Sequence, residues 1–221
     1  MSDLPTTLRE SDRIEDELRR LILTLELEPG LALSEAALMK RYGWGRTPLR
    51  EACQRLVEQS LLQAAPRQGV VVTPLSVFDF VEVMDAMSIV IGAAASLACQ
   101  RLSAAQLDEL DEIVSQAEAA EAQGDYPAVS RLDYEFHRLL AQATGNRYLG
   151  RYLVHLHQVA TRFNLAAWRR DGRAHASLHE HRRIVEALRS RDPAASQAVM
   201  LEHIENARRR VVGGANGARR V

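Results

Sequence analysis

The sequence has few of the features that would anchor a protein covalently or in a membrane. Its 221 residues include only two cysteines, Cys53 and Cys99, and their separation is not a metal-type spacing. A disulfide framework is excluded, and buried thiols in a reducing compartment are expected. No apolar run approaches the roughly 20 residues of a membrane span, and the N-terminus lacks a signal-peptide pattern. A cytoplasmic protein without a membrane partner is therefore expected. Aromatic residues are only 5% of the chain, against 47% apolar and 26% charged, and the abundance of Ala, Leu and Arg favours helix. The formal net charge of -1 gives no global attraction to nucleic acid. There is no internal repeat.

The charge is nevertheless distributed unevenly. Between Lys40 and Arg67, six basic residues (Lys40, Arg41, Arg46, Arg50, Arg55 and Arg67) stand against two acidic ones, Glu51 and Glu58. Within this stretch, residues 46–56 read as a short helix. Arg46, Arg50 and Gln54 fall on one face, and Leu49, Cys53 and Leu56 on the other. Thr47 is the expected N-cap, which places Pro48 at the first helical position. Arginines four apart on an exposed first turn suit phosphates or guanine edges in a major groove. In isolation, the same RxxxR spacing describes a solvated basic face.

Its neighbours give the segment a context. Ile14, Leu18, Leu21, Ile22 and Leu25 form a helical stripe over residues 9–27, stopped by Glu28-Pro29-Gly30. Ser34 caps a second helix from Glu35 to Tyr42, and Gly43-Trp44-Gly45 turns into the basic helix. Residues 61–65 and 70–73 read as strands joined through Pro66-Arg67-Gln68-Gly69. Three helices and a β-hairpin make a winged helix-turn-helix over residues 1–74. Arg67, at the hairpin tip, carries the charge for a wing contact or is simply a solvated loop residue, and Gly69 allows close backbone approach.

From residue 75 to 221 no convincing strand appears. Helices are expected at 76–101, 103–123, 125–143, 146–171, 174–190 and 192–212, with a frayed tail from Gly213. The fold class is thus mainly α, with a six-helix antiparallel bundle following the winged helix. All seven histidines lie between His137 and His203. Asp133 and His137 share a face with Leu140. His181 aligns with Ile184, Val185 and Leu188, and His203 lies among Val199, Met200, Ile204 and Ala207. One carboxylate and three imidazoles on apolar faces are costly without a common partner, and a divalent ion (Zn, Ni, Fe, Co or Mn) is one such partner. His179, two residues from His181, should be at the surface or behind it. At most one of His155 and His157 can face the core, and His175 sits near a helix start.

These residues resemble the GntR family of bacterial transcription regulators, in particular the FadR-like subfamily with an FCD effector domain. Pro29-Gly30, Leu33-Ser34-Glu35, Arg46-Thr47-Pro48-Leu49-Arg50-Glu51-Ala52 and Arg67-Gln68-Gly69-Val70 follow the family's order and spacing. So do Asp133-Tyr134-Glu135-Phe136-His137, Thr144-Gly145-Asn146, Glu180-His181-Arg182-Arg183-Ile184 and Met200-Leu201-Glu202-His203-Ile204. Six C-terminal helices rather than seven are similar to the VanR-like branch. The resemblance implies a homodimer, more often a repressor, that reads a pseudo-palindromic operator in double-stranded DNA through Arg46, Thr47, Arg50, Arg67 and Gly69. It also implies a metal, zinc first in purified protein, held by Asp133, His137, His181 and His203, with a small carboxylate effector beside it.

There are departures from the pattern. Gly45 stands where the family carries a small hydroxyl residue, and Trp44 where it carries an aliphatic one. Met87 and Ile91 occupy positions that usually hold an Arg and a Glu. Arg162, Asn164 and Trp168 become the candidates for lining an effector pocket, although a solvated helix face accounts for Arg162 equally well.

Two rivals remain on sequence grounds. A metal-dependent enzyme on the bundle would be expected to carry Glu-x-x-His or HExxH. The first is absent, and His179-Glu180 is followed by Arg183 where a second His is required. The other rival is a regulator whose metal is purely structural.

Overall fold

Four apolar residues of the first stripe, Ile14, Leu18, Leu21 and Ile22, are buried on one side of helix α1 (Glu10–Leu23). Each contributes about 1.5–3 kcal/mol through apolar burial. In the computed structural model, which describes residues 9–65, 69–172 and 174–217, α1 belongs to the first of two compact units, Met1–Pro74 and Leu75–Val221. The helix ends earlier than the sequence pattern suggests. Leu25 adopts φ 56°, and the Thr24 hydroxyl donates to the Arg20 carbonyl oxygen at 2.9 Å, so the turn forms before Pro29 is reached.

Helix α2 (Glu35–Tyr42) begins at Ser34, whose hydroxyl accepts from the Ala37 N–H at 3.3 Å, as its sequence suggests. Helix α3 (Arg46–Glu58) begins two residues earlier than the expected cap implies: Gly45, not Thr47, is the N-cap, and the Leu49 N–H bonds the Gly45 carbonyl at 3.1 Å. Pro48 therefore occupies the third helical position, where its missing N–H is still harmless. A Cβ on Gly45 would lie 3.1 Å from Pro48 Cγ, so this proline and a side chain at 45 compete for space.

The wing is a three-stranded antiparallel sheet rather than a bare hairpin. β1 (Ala32–Leu33) pairs with β3 (Gly69–Val72), which pairs with β2 (Leu62–Ala65), giving the order β1-β3-β2. Ala32 faces Val71 and Leu62 faces Val72 across the ladders. The two-residue β1 is too short to show alternation, so only its pairing defines it.

Six helices fill the second unit: α4 (Val77–Arg101), α5 (Ala104–Ala122), α6 (Tyr126–Ala143), α7 (Arg147–Asp171), α8 (His175–Arg189) and α9 (Pro193–Gly217). Side chains fix several of the starts. Ser103 and Gln106 form a reciprocal capping box, Asp125 accepts from the Ala128 N–H, and Asn146 accepts from those of Tyr148 and Leu149. Helix α9 continues through the glycines to Gly217 instead of fraying after residue 212. α4 is long and apolar enough by length and composition to cross a membrane. Here its Phe80, Met84, Met87, Ile91 and Ala98 build the bundle core with Leu110, Phe136, Ile184 and Met200. Met87 and Ile91 thus serve as core packing, where a polar pair would need partners.

Candidate nucleic-acid interface and metal centre

Helix α3 divides as its sequence suggests. Leu49, Ala52, Cys53 and Leu56 are buried, while Arg46, Thr47, Arg50 and Gln54 are exposed. Arg55 is committed to the fold. Its Nη2 donates to Asp12 at 3.2 Å and its Nε to Glu15, tying α3 to α1. Burial would raise the Glu15 pKa, but Gln59, Arg55 and Arg19 together hold it below the ordinary carboxylate value. The Nε–H of Arg50 donates to both carboxylate oxygens of Glu35 at 3.0 Å. Trp44 stacks on Tyr42 with centroids 4.4 Å apart and planes 13° from parallel, and the Arg41 guanidinium lies 5.2 Å above the Tyr42 ring. Gly69 opens β3 at φ 80°, exposed. Arg67 lies outside the described residues.

Inside the bundle, Asp133 and His137 from α6, His181 from α8 and His203 from α9 converge. All four are at most 3% exposed, and ligand-capable atoms of the three histidines lie within 4.8 Å of one another. Asp133 Oδ1 is 3.5 Å from His181 Nε2 and 4.0 Å from His137 Nε2. Phe136 stacks on His181 at 4.4 Å, and His157 stacks on His137 at 3.7 Å. His155 is half-buried and His175 and His179 are exposed, so these three stay outside the cluster.

Burial pushes Asp133 up to about 7 against the pull of Arg210 and of the Thr161 hydroxyl, whose approach falls short of hydrogen-bond geometry. Burial, reinforced by the neighbouring imidazoles, lowers His137 and His181 well below 6.5, and it lowers His157 to about 3. Neutral imidazole is the ligating form. Neither Asp133 oxygen nor His181 Nε2 has a hydrogen-bond partner among the described residues. Dehydrated donors left unmatched in this way fit a divalent cation, which would satisfy them together.

A second layer supports that fit. Glu180 Oε2 lies 2.8 Å from His203 Nδ1, while Asn206 donates to Oε1 at 2.9 Å and Arg210 donates to both oxygens at 2.8 and 3.0 Å. A carboxylate on Nδ1 fixes the proton there and leaves Nε2 as the ligating nitrogen. Sequence reasoning missed Glu180, Arg210 and His157. The signal was available in the column His203, Asn206, Arg210 on one face of α9, which calls for an acidic partner. For His157, the register with Leu153, Leu156 and Ala160 chooses it over His155.

Asn164 and Trp168 line a cavity of about 380 Å³ between α7, α8 and α9, together with Asp171, Ser177 and Arg210. Arg162 does not line it. That side chain is 1% exposed, which rules out the solvated face, and burial lowers its pKa to about 10.

The profile of bacterial regulatory proteins of the gntR family matches residues 10–72, and the FCD domain profile matches residues 82–206. This chain is a GntR-family transcriptional regulator. The regulator is 28% identical to the HTH-type transcriptional regulator YdhC of Bacillus subtilis (strain 168) over 192 residues, 86% of each chain. It is 26% identical to the HTH-type transcriptional repressor RspR of Escherichia coli (strain K12), covering 85% of this chain and 82% of that one. Its fold matches that of E. coli McbR/YncC at TM-score 0.84 and 20% identity, over 95% of this chain and 100% of that one. Members of this family are transcriptional regulators, not enzymes, which removes the metalloenzyme alternative.

Proposed function

We propose that this GntR regulator acts in the cytoplasm as a homodimeric, metal-containing repressor whose operator binding responds to a small carboxylate. The observation carrying the proposal is that the cluster of Asp133, His137, His181 and His203 is joined through Glu180 to the Arg210 that also lines the neighbouring cavity. Those four residues would hold a divalent ion (Zn, Ni, Fe, Co or Mn), which supplies Lewis acidity toward an anionic ligand. Asn164, Trp168 and Arg210 receive the effector, with the indole covering its apolar part and the guanidinium its carboxylate. Effector binding shifts operator affinity only to the extent that it favours one arrangement of the protein over another.

At the DNA, Arg46, Thr47 and Arg50 dock α3 in the major groove, while Gly69 and Arg67 bring the wing to the backbone. The repressor reading is supported by the relative whose printed name is a repressor. The dimer is supported by Phe78 and Ile89 on α4, large apolar side chains that are 83% and 80% exposed. Two-fold symmetry then gives a pseudo-palindromic operator.

The test is a panel of small carboxylates titrated into the zinc-loaded protein on its operator, read by fluorescence anisotropy. At least one should alter operator affinity in the parent and be ineffective in Arg210→Ala. A panel without effect, or an equal response in the variant, contradicts the effector assignment.

A further inference from the structure

Glu35 opens α2 directly after its Ser34 cap, and Arg50 lies in the second turn of α3. The Arg50 Nε–H donates to both Glu35 oxygens at 3.0 Å, yet the arginine stays 63% exposed and the glutamate 34% exposed. Glu35 is the hydrogen-bond partner of Arg50 among the described residues. A guanidinium has five N–H donors, and this contact uses the one nearest the stem. The donors left over belong to the terminal nitrogens, which take O6 and N7 of a guanine side by side in a major groove.

We infer that Glu35 is a positioning residue for DNA reading: it holds the Arg50 guanidinium ready for a guanine edge and keeps it from settling on a phosphate. This rests on the DNA-reading role proposed above for Arg50. Two opposing effects follow. A guanidinium restrained beforehand loses less freedom on binding, which favours the base contact. A carboxylate facing a polyanion weakens attraction to DNA of any sequence, because it offsets one positive charge of the docking face. Glu35 thus lowers general affinity and raises discrimination. As a structural prop it has little to do, since an exposed ion pair adds little stability and Leu38, Leu49 and Cys53 already bury the adjoining faces of α2 and α3.

The test uses the full-length protein and an operator fragment obtained by selection from genomic DNA. Each guanine is replaced in turn by 7-deazaguanine, which lacks N7. Affinity is measured by fluorescence anisotropy for the parent, Arg50→Ala, Glu35→Ala and Glu35→Gln. Arg50→Ala identifies the guanine it reads, because there the parent's penalty, roughly 5–150-fold, disappears. In Glu35→Ala the penalty at that same guanine should shrink by about three-fold or more, while a random duplex binds about 2–10-fold tighter. Glu35→Gln keeps a carbonyl acceptor and should preserve the penalty while sharing the gain in general affinity. An undiminished penalty in Glu35→Ala overturns the inference. So does equal weakening on operator and random duplex together with a lower melting temperature, the signature of a prop. If Arg50→Ala leaves every penalty intact, base reading by Arg50 fails and this inference fails with it.

Discussion

Replacing His181 with leucine should cost the metal-free protein little and abolish its response to metal. The His181 ring is 1% exposed and stacks on Phe136 at 4.4 Å, with planes 16° apart. Its Nε2 stands 3.5 Å from Asp133 Oδ1 and makes no hydrogen bond among the described residues. A buried polar atom without a partner costs about 1–3 kcal/mol, whereas the ring stack contributes about 0.5–1.5 kcal/mol. Leucine removes both, so the metal-free variant should be as stable as the parent or slightly more stable. Metal changes the comparison. An ion at 100 times its Kd stabilises the parent by about 2.7 kcal/mol, or roughly 5–11 °C in melting temperature at about 2–4 °C per kcal/mol. The assay is circular-dichroism melting of chelator-stripped parent and His181→Leu with and without Zn²⁺, Ni²⁺ or Mn²⁺. If metal-free His181→Leu melts several degrees lower, His181 is a satisfied core histidine and not a ligand held without a partner. Equal metal shifts in the two proteins likewise exclude His181 as a ligand.

Other consequences follow from neighbouring geometry. Burial would raise the Glu180 pKa, but His203 and Arg210 hold it at about 2. Its folded value lies below the ordinary 4.5, so the stabilisation is complete above pH 4.5 and is lost as pH falls from 4.5 towards 2. Glu180→Gln should lack that loss, up to about 3 kcal/mol in acid urea titrations. The same variant should bind Zn²⁺ about 10–100-fold more weakly against a chromophoric chelator. At Gly150, an added Cβ would stand 3.0 Å from the Ala141 carbonyl oxygen. Gly150→Ala must therefore separate α6 from α7, which should lower stability by about 1–3 kcal/mol in urea unfolding.

The parts of the fold written in local chemistry were the parts that could be read from the sequence. Ser34, Ser103, Asp125 and Asn146 mark helix starts because each carries its own acceptor for an orphan N–H. Asp133, His137, His181 and His203 could be placed inward because helical periodicity alone decides which face they share with leucines and isoleucines. The features that escaped depend on partners distant in sequence. Strand β1 exists only through its pairing with β3, 37 residues further on at Val70 for Leu33. Glu180 was hidden because its partners, His203, Asn206 and Arg210, all lie on another helix. The Thr47 cap failed for a local reason: Gly45 satisfies the helix start with its backbone, so the hydroxyl two residues later is left for other work.

Operator reading by this regulator is tested most directly by selection of genomic DNA fragments by the purified full-length protein, with affinity for the enriched site then followed against salt concentration. An operator-reading dimer should enrich a short inverted repeat, lose affinity steeply with salt, and lose about 1–3 kcal/mol in Arg50→Ala. Weak binding without an enriched repeat, in metal-free and zinc-loaded protein alike, would contradict operator reading.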